Sequence, residues 1–318
     1  MNFFISETIL AFAVTVIGVI ILKRKNYLSE KDVVPFTNLL IQFVIPANII
    51  LMLLDKNVSK VQIEMGVILF VSSILALILA YVVGRLLKLK RIYIGALIMT
   101  SAFSASGLLG YPLIKILFPG NAMAIADAIM MTEIGVGLPT LILCPIVARY
   151  FGEQSSLHTN RQIIVSSLKD YFCSPIFISI IVGVALAFSG IGGKQGFVAD
   201  MLRSALNISA SGLTILPAVI IGLRLKKMTI GHILPLIVAS AAIQMFFEPC
   251  TTAYFANLMH LQVTEKTVLL LLSMMPSALL APVFASRYEC APDETATIVF
   301  VNIILSVVLV PLLYRLLF

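Results

Sequence analysis

Apolar runs of about 20 residues recur along the whole chain, each long enough to cross a hydrocarbon core of about 30 Å as a helix. The first, from Phe3 to Leu22, is followed by its charges (Lys23, Arg24, Lys25) rather than preceded by them, so it reads as a membrane span and not as a leader. Charged residues make up only 12% of the chain, against about 25% in a soluble domain. The expected fold class is all-α integral membrane. Ten spans are expected, roughly at 3–22, 33–54, 65–84, 93–117 and 122–148, then 172–192, 201–223, 230–258, 267–286 and 294–317. The longest polar stretch, Arg149 to Asp170, separates the two sets of five. The division is therefore 1–150 for a first repeat, 151–170 for a linker and 171–318 for a second repeat.

The two sets resemble each other. Ser106-Gly107-Leu108-Leu109-Gly110 returns as Ser277-Ala278-Leu279-Leu280-Ala281, an offset of 171 residues. Ile45-Pro46-Ala47-Asn48 returns at the same offset as Leu216-Pro217-Ala218-Val219. Two matches at one offset indicate a duplicated unit. Lys and Arg then orient it: fifteen of the 22 lie on the side reached after odd-numbered spans. The positive-inside bias places that side, and the linker, in the cytoplasm and both termini outside. Five spans per half force the second half to enter the membrane inverted, an arrangement of secondary transporters. The net charge of +7 is spread in short loop clusters, so no nucleic-acid partner is implied.

Few residues carry chemistry. Ser106, Gly107, Gly110 and Pro112 crowd the fourth span, and Pro276, Ser277 and Pro282 crowd the ninth. Proline removes an amide donor and clashes with the carbonyl one turn back, so each span is expected to break just before it. Broken backbone in hydrocarbon costs several kcal/mol unless protein or a watery cavity satisfies it. The two breaks are thus expected to meet near the midplane, where half-helix N-termini favour an anion. Gly and Pro also simply permit close helix packing. Asn48 serves equally as a carboxylate donor or as interhelical glue. Three acids lie inside spans: Asp127 and Glu133 in the fifth and Glu248 in the eighth. Such residues usually line a pathway or pair internally. For Asp127 the pairing partner expected is Lys115, and Pro249 suggests a further break beside Glu248. The four cysteines lack metal-ligand spacing and read as buried free thiols. No nucleophile–base pair, metal cluster or phosphate-binding loop is evident in the sequence.

Ser106-Gly107-Leu108-Leu109-Gly110-Tyr111-Pro112-Leu113 resembles the signature of the auxin efflux carrier family, and the run from Pro276 through Pro282 to Tyr288 is similar to its C-terminal signature. The resemblance extends over essentially the whole chain. It implies ten helices in two inverted five-helix repeats, with the fourth and ninth broken and crossing at the substrate site. It also implies transport of organic anions such as auxins, malate or malonate, and a homodimer. One departure stands out: Ala105 occupies the position, seven residues before the fourth-span proline, where the family often has Asn.

The function expected is a secondary carrier moving a small carboxylate across the cytoplasmic membrane by alternating access. Ser106, Gly107, Gly110, Pro112, Pro276, Ser277, Pro282 and Asn48 would hold the substrate. No cofactor or metal is expected, but protons or sodium are possible coupling ions, with Glu133, Glu248 and Asp127 as candidates. The alternatives are a cation/proton antiporter of similar fold and a non-transporting membrane receptor.

Overall fold

The computed structural model describes residues 2–54, 60–110, 114, 117–118, 124, 127–128, 131–152, 173, 175–188, 196–225 and 230–317. Their regular structure is helical apart from one isolated β-bridge, between Ser104 and Ser277. In chain order the helices are α1 (Asn2–Arg24), α2 (Val33–Leu39), α3 (Ile45–Leu54), α4 (Lys60–Leu86), α5 (Arg91–Ser101), α6 (Leu138–Phe151) and α7 (Pro175–Phe188). They continue with α8 (Phe197–Ala210), α9 (Gly212–Arg224), α10 (Ile230–Ala242), α11 (Glu248–Leu258), α12 (Val263–Ser273), α13 (Ala281–Tyr288) and α14 (Pro292–Leu317).

Among the described residues, six continuous helical stretches are long and apolar enough to span a membrane, from Glu30–Leu51 to Pro292–Arg315. Their outer faces carry exposed Ile78, Val238 and Val308, which hydrocarbon rather than water accommodates. The chain is an all-helical, multi-pass membrane protein. Arg149 lies within α6, so the polar stretch begins after Phe151, and residues 153–170 of the expected linker fall outside the described set.

Among the described residues, four π-turns punctuate the spans: Leu40–Val44, Ser106–Gly110, Glu133–Gly137 and Ile243–Phe247. Each begins six residues before a proline, namely Pro46, Pro112, Pro139 and Pro249. Proline cannot donate to the carbonyl four residues back and its ring clashes there. A wider turn moves that carbonyl away while the helix continues. This corrects one expectation: Pro249 does not break the eighth span, because α10 passes through a π-turn into α11 without interruption. The device is not universal, since Pro145 and Pro311 sit inside α6 and α14.

α3 packs on α7 and α8, and α1 packs on α9 and α14. α5 is surrounded by α4, α6, α10 and α14, whereas α13 packs on α14, α6 and α9. Every residue of α5 from Ile94 to Ser101 is buried, as is every residue of α12 from Thr267 to Ser273. Both therefore end in the interior of the bundle, and both end early. Two of the cysteines depart from the sequence reading: Cys144 and Cys290 are buried, but Cys173 and Cys250 are exposed. Their positions beside apolar segments did not distinguish a lipid-facing side chain from one in the core.

Candidate functional site

α5 stops at Ser101 and α12 at Ser273, and in each case the chain runs on as non-helical backbone before turning again. A helix that ends inside a membrane leaves its last carbonyls without partners, and here the two interruptions supply each other. The Ala105 amide donates to the Pro276 carbonyl at 2.7 Å, and the Ala278 amide donates to the Phe103 carbonyl at 2.7 Å. These bonds form the antiparallel Ser104–Ser277 bridge. The first interruption thus lies at 102–105, further upstream of Pro112 than the proline requires, because backbone pairing sets its position. Pro282 is likewise better described as starting a helix than as breaking one. It sits in the first turn of α13, where its missing amide costs little.

Side chains lock the junction. The Ser277 hydroxyl and the Ser240 hydroxyl (3.0 Å) both donate to the Thr100 carbonyl, near the open end of α5. The Asn302 amide of α14 donates to Ser277 Oγ at 2.8 Å and to Ser240 Oγ at 2.9 Å. All four residues are fully buried. Gly110 lies against Leu272, close enough that an added Cβ would collide with Leu272 Cδ2.

The hydroxyls of Ser101, Ser104 and Ser106 are also buried, yet among the described residues they have no hydrogen-bond partner, and neither does Asn302 Oδ1. Buried polar groups are ordinarily paired, so a cluster of unpaired ones marks spare bonding capacity. The first amides of a helix lack intrahelical partners. At α13, however, Ala281 donates to Ala278, Val283 donates to Leu280, and Pro282 has no amide to offer.

The structure brings Ser106, Gly107, Gly110, Pro276 and Ser277 into this region, with Pro282 just beyond it. Pro112 lies outside the described residues. Asn48 is half-buried on α3, whose packing is against α7 and α8. Of the acids, Glu248 is fully buried and accepts from Ser73 Oγ at 3.0 Å and Gln244 Nε2 at 2.6 Å. Asp127 is buried and accepts from Gln62 Nε2 at 2.9 Å, while its expected partner Lys115 lies outside the described residues. The backbone of Glu133 opens a π-turn, and its side chain is outside the described set.

A family model described as membrane transport protein matches residues 3–314. The chain belongs to that family. This is the auxin efflux carrier family, whose signatures the fourth and ninth spans resemble. The chain is similar to an uncharacterized transporter of Methanocaldococcus jannaschii, 27% identical over 290 residues and 90% of each chain. It is also similar to an uncharacterized transporter of Methanothermobacter thermautotrophicus, 23% identical over 309 residues and 96% of each chain.

In this membrane transport protein the paired interruptions account for the serines singled out in sequence, but not for Thr100, Ser240, Asn302, Gln244 or Ser73. Asn302 had a readable signal, being a lone amide deep in an otherwise apolar span. Thr100 acts through its backbone carbonyl, which no side-chain pattern reveals.

Proposed function

We propose that the protein is a secondary carrier of small organic carboxylates, working by alternating access across the cytoplasmic membrane. In this reading ten helices form two inverted repeats, 1–150 and 171–318, joined by a cytoplasmic linker at 151–170, with both termini outside and a homodimeric assembly. The observation that carries it is the group of unpaired buried hydroxyls at Ser101, Ser104 and Ser106 beside the Ser104–Ser277 bridge. Hydroxyl donors and the amides opening the Ser106–Gly110 turn suit a carboxylate, which accepts through two oxygens. Gly107, Gly110 and Pro112 shape that turn, while Pro276, Ser277 and Pro282 form the opposing wall. Asn48 is a further donor from α3.

Export of a monoanion needs no coupling ion, since about 100 mV, inside negative, contributes about 2.3 kcal/mol per charge outward. Uptake requires a co-transported proton or sodium ion. Among Glu133, Asp127 and Glu248, the last has the best-supported connection to the bridge. Ser240, Gln244 and Glu248 follow at four-residue intervals on one span: Ser240 bonds the Thr100 carbonyl and Gln244 bonds Glu248. The same buried acid favours a second reading, a cation/proton antiporter.

Proteoliposome flux separates the two. Labelled mono- and dicarboxylates should move under an imposed potential, with a rate that follows its polarity. A pH-driven sodium flux abolished by Glu248→Gln, with no carboxylate movement under either polarity, would replace the carrier reading by the antiporter one.

A further inference from the structure

Well away from the bridge, a cavity of about 250 Å³ opens where α4 and α6 end and α5 begins. Tyr81, Arg85, Leu89, Arg91, Tyr150 and Phe151 contribute to its wall, and no carboxylate lines it. Arg91 donates to the Tyr150 carbonyl at 2.6 Å and stacks over the Tyr150 ring, 4.7 Å from its centroid. A guanidinium has five N–H donors, so most of those on Arg91 remain open. Arg85 is exposed and makes no hydrogen bond or ion pair among the described residues. Beside this basic cup the outer face of α4 is apolar and exposed at Tyr81, Val82 and Leu86. The cavity therefore combines two converging cations at the end of a membrane helix with an adjoining hydrocarbon-compatible wall.

We infer that this cavity binds the head group of an anionic phospholipid. The phosphate is held by Arg85 and Arg91, and an acyl chain lies along Tyr81, Val82 and Leu86. Planar guanidinium forks match phosphate oxygens two at a time, which a lone ammonium does not. Tyrosines at the same level suit the boundary between head group and hydrocarbon. A basic pocket between transmembrane helices is a physically reasonable lipid site because both parts of the molecule are served at once. The apolar wall is what favours a lipid over a free phosphate compound.

Native mass spectrometry of the full-length protein, titrated with phosphatidylglycerol and phosphatidylcholine, tests this. Phosphatidylglycerol should bind more tightly, and Arg85→Gln should weaken it about fivefold, the effect of one basic residue near an anionic head group. Arg85 has no partner to lose among the described residues, so this variant should fold as the parent does. Arg85→Gln with Arg91→Gln should weaken binding about twenty-five-fold, while phosphatidylcholine binding stays unchanged. Equal binding of the two lipids, or no effect of Arg85→Gln, would overturn the assignment. Displacement of the lipid by equimolar glycerol phosphate would also overturn it, because the apolar wall would then contribute nothing.

Discussion

The interruptions after α5 and after α12 are alike in backbone and opposite in side chain. Each donates one amide to the other's carbonyl at 2.7 Å, so neither half is stable as drawn without its partner. After α12, Ser277 is paired both as donor, to Thr100, and as acceptor, from Asn302, and the amides after the break are folded back into α13. At the other interruption, Ser101, Ser104 and Ser106 are buried without partners among the described residues. One interruption thus locks the junction, while the other retains donors for something else. Both interruptions share the backbone pairing, while chemical capacity lies with the side chains that differ between them.

The locked half should be the more costly to disturb. Asn302→Leu removes two donated bonds and leaves Ser240 and Ser277 short of a partner at full burial. A buried group left unsatisfied costs about 1–3 kcal/mol, so thermal unfolding in detergent should show a loss of about 3 kcal/mol together with loss of flux. Gly110→Val should come next. The collision with Leu272 is an overpacking of about 1–3 kcal/mol, and a second change, Leu272→Ala, should restore part of the stability. If Leu272→Ala gives no rescue, the close contact between the Ser106–Gly110 turn and α12 is not what makes glycine necessary.

Smaller effects on stability are expected where the substitution preserves the hydrogen bonds or finds none to break. Glu248→Gln keeps an acceptor for Ser73 and, with Gln244 turned to present its unpaired Oε1, keeps that contact paired while removing the proton-exchanging group, so the fold should change by less than about 1 kcal/mol. Uptake driven by a pH gradient should then vanish while potential-driven export persists. Ser104→Ala and Ser106→Ala break no intramolecular bond and should leave stability within about 0.5 kcal/mol. Each should raise the KM for the carboxylate about fivefold, the worth of roughly one hydrogen bond. Equal stability losses for Ser104→Ala and Ser277→Ala would remove the asymmetry between the two halves.

The sequence made the membrane environment, the apolar spans and the two crowded segments legible, because hydrocarbon thickness and proline geometry act locally. It placed the first interruption too close to Pro112. Proline accounts for the Ser106–Gly110 turn six residues upstream, whereas the true break at 102–105 is set by pairing with Pro276 and Ala278 across a separation of about 170 residues. Partners of the buried acids were hidden for the same reason: Ser73 and Glu248 lie 175 positions apart, and Gln62 and Asp127 lie 65 apart. Ala105, where the family often carries Asn, makes its contribution through its amide to Pro276, a role that any residue other than proline can fill.

A structure with a brominated carboxylate bound, located by its anomalous signal, addresses the proposed substrate position most directly. The carboxylate is expected within hydrogen-bond distance of the Ser104 and Ser106 hydroxyls, on the side of the bridge facing the Ser106–Gly110 turn. A ligand transported by the protein but bound away from the bridge, with those hydroxyls still unpaired, would contradict it.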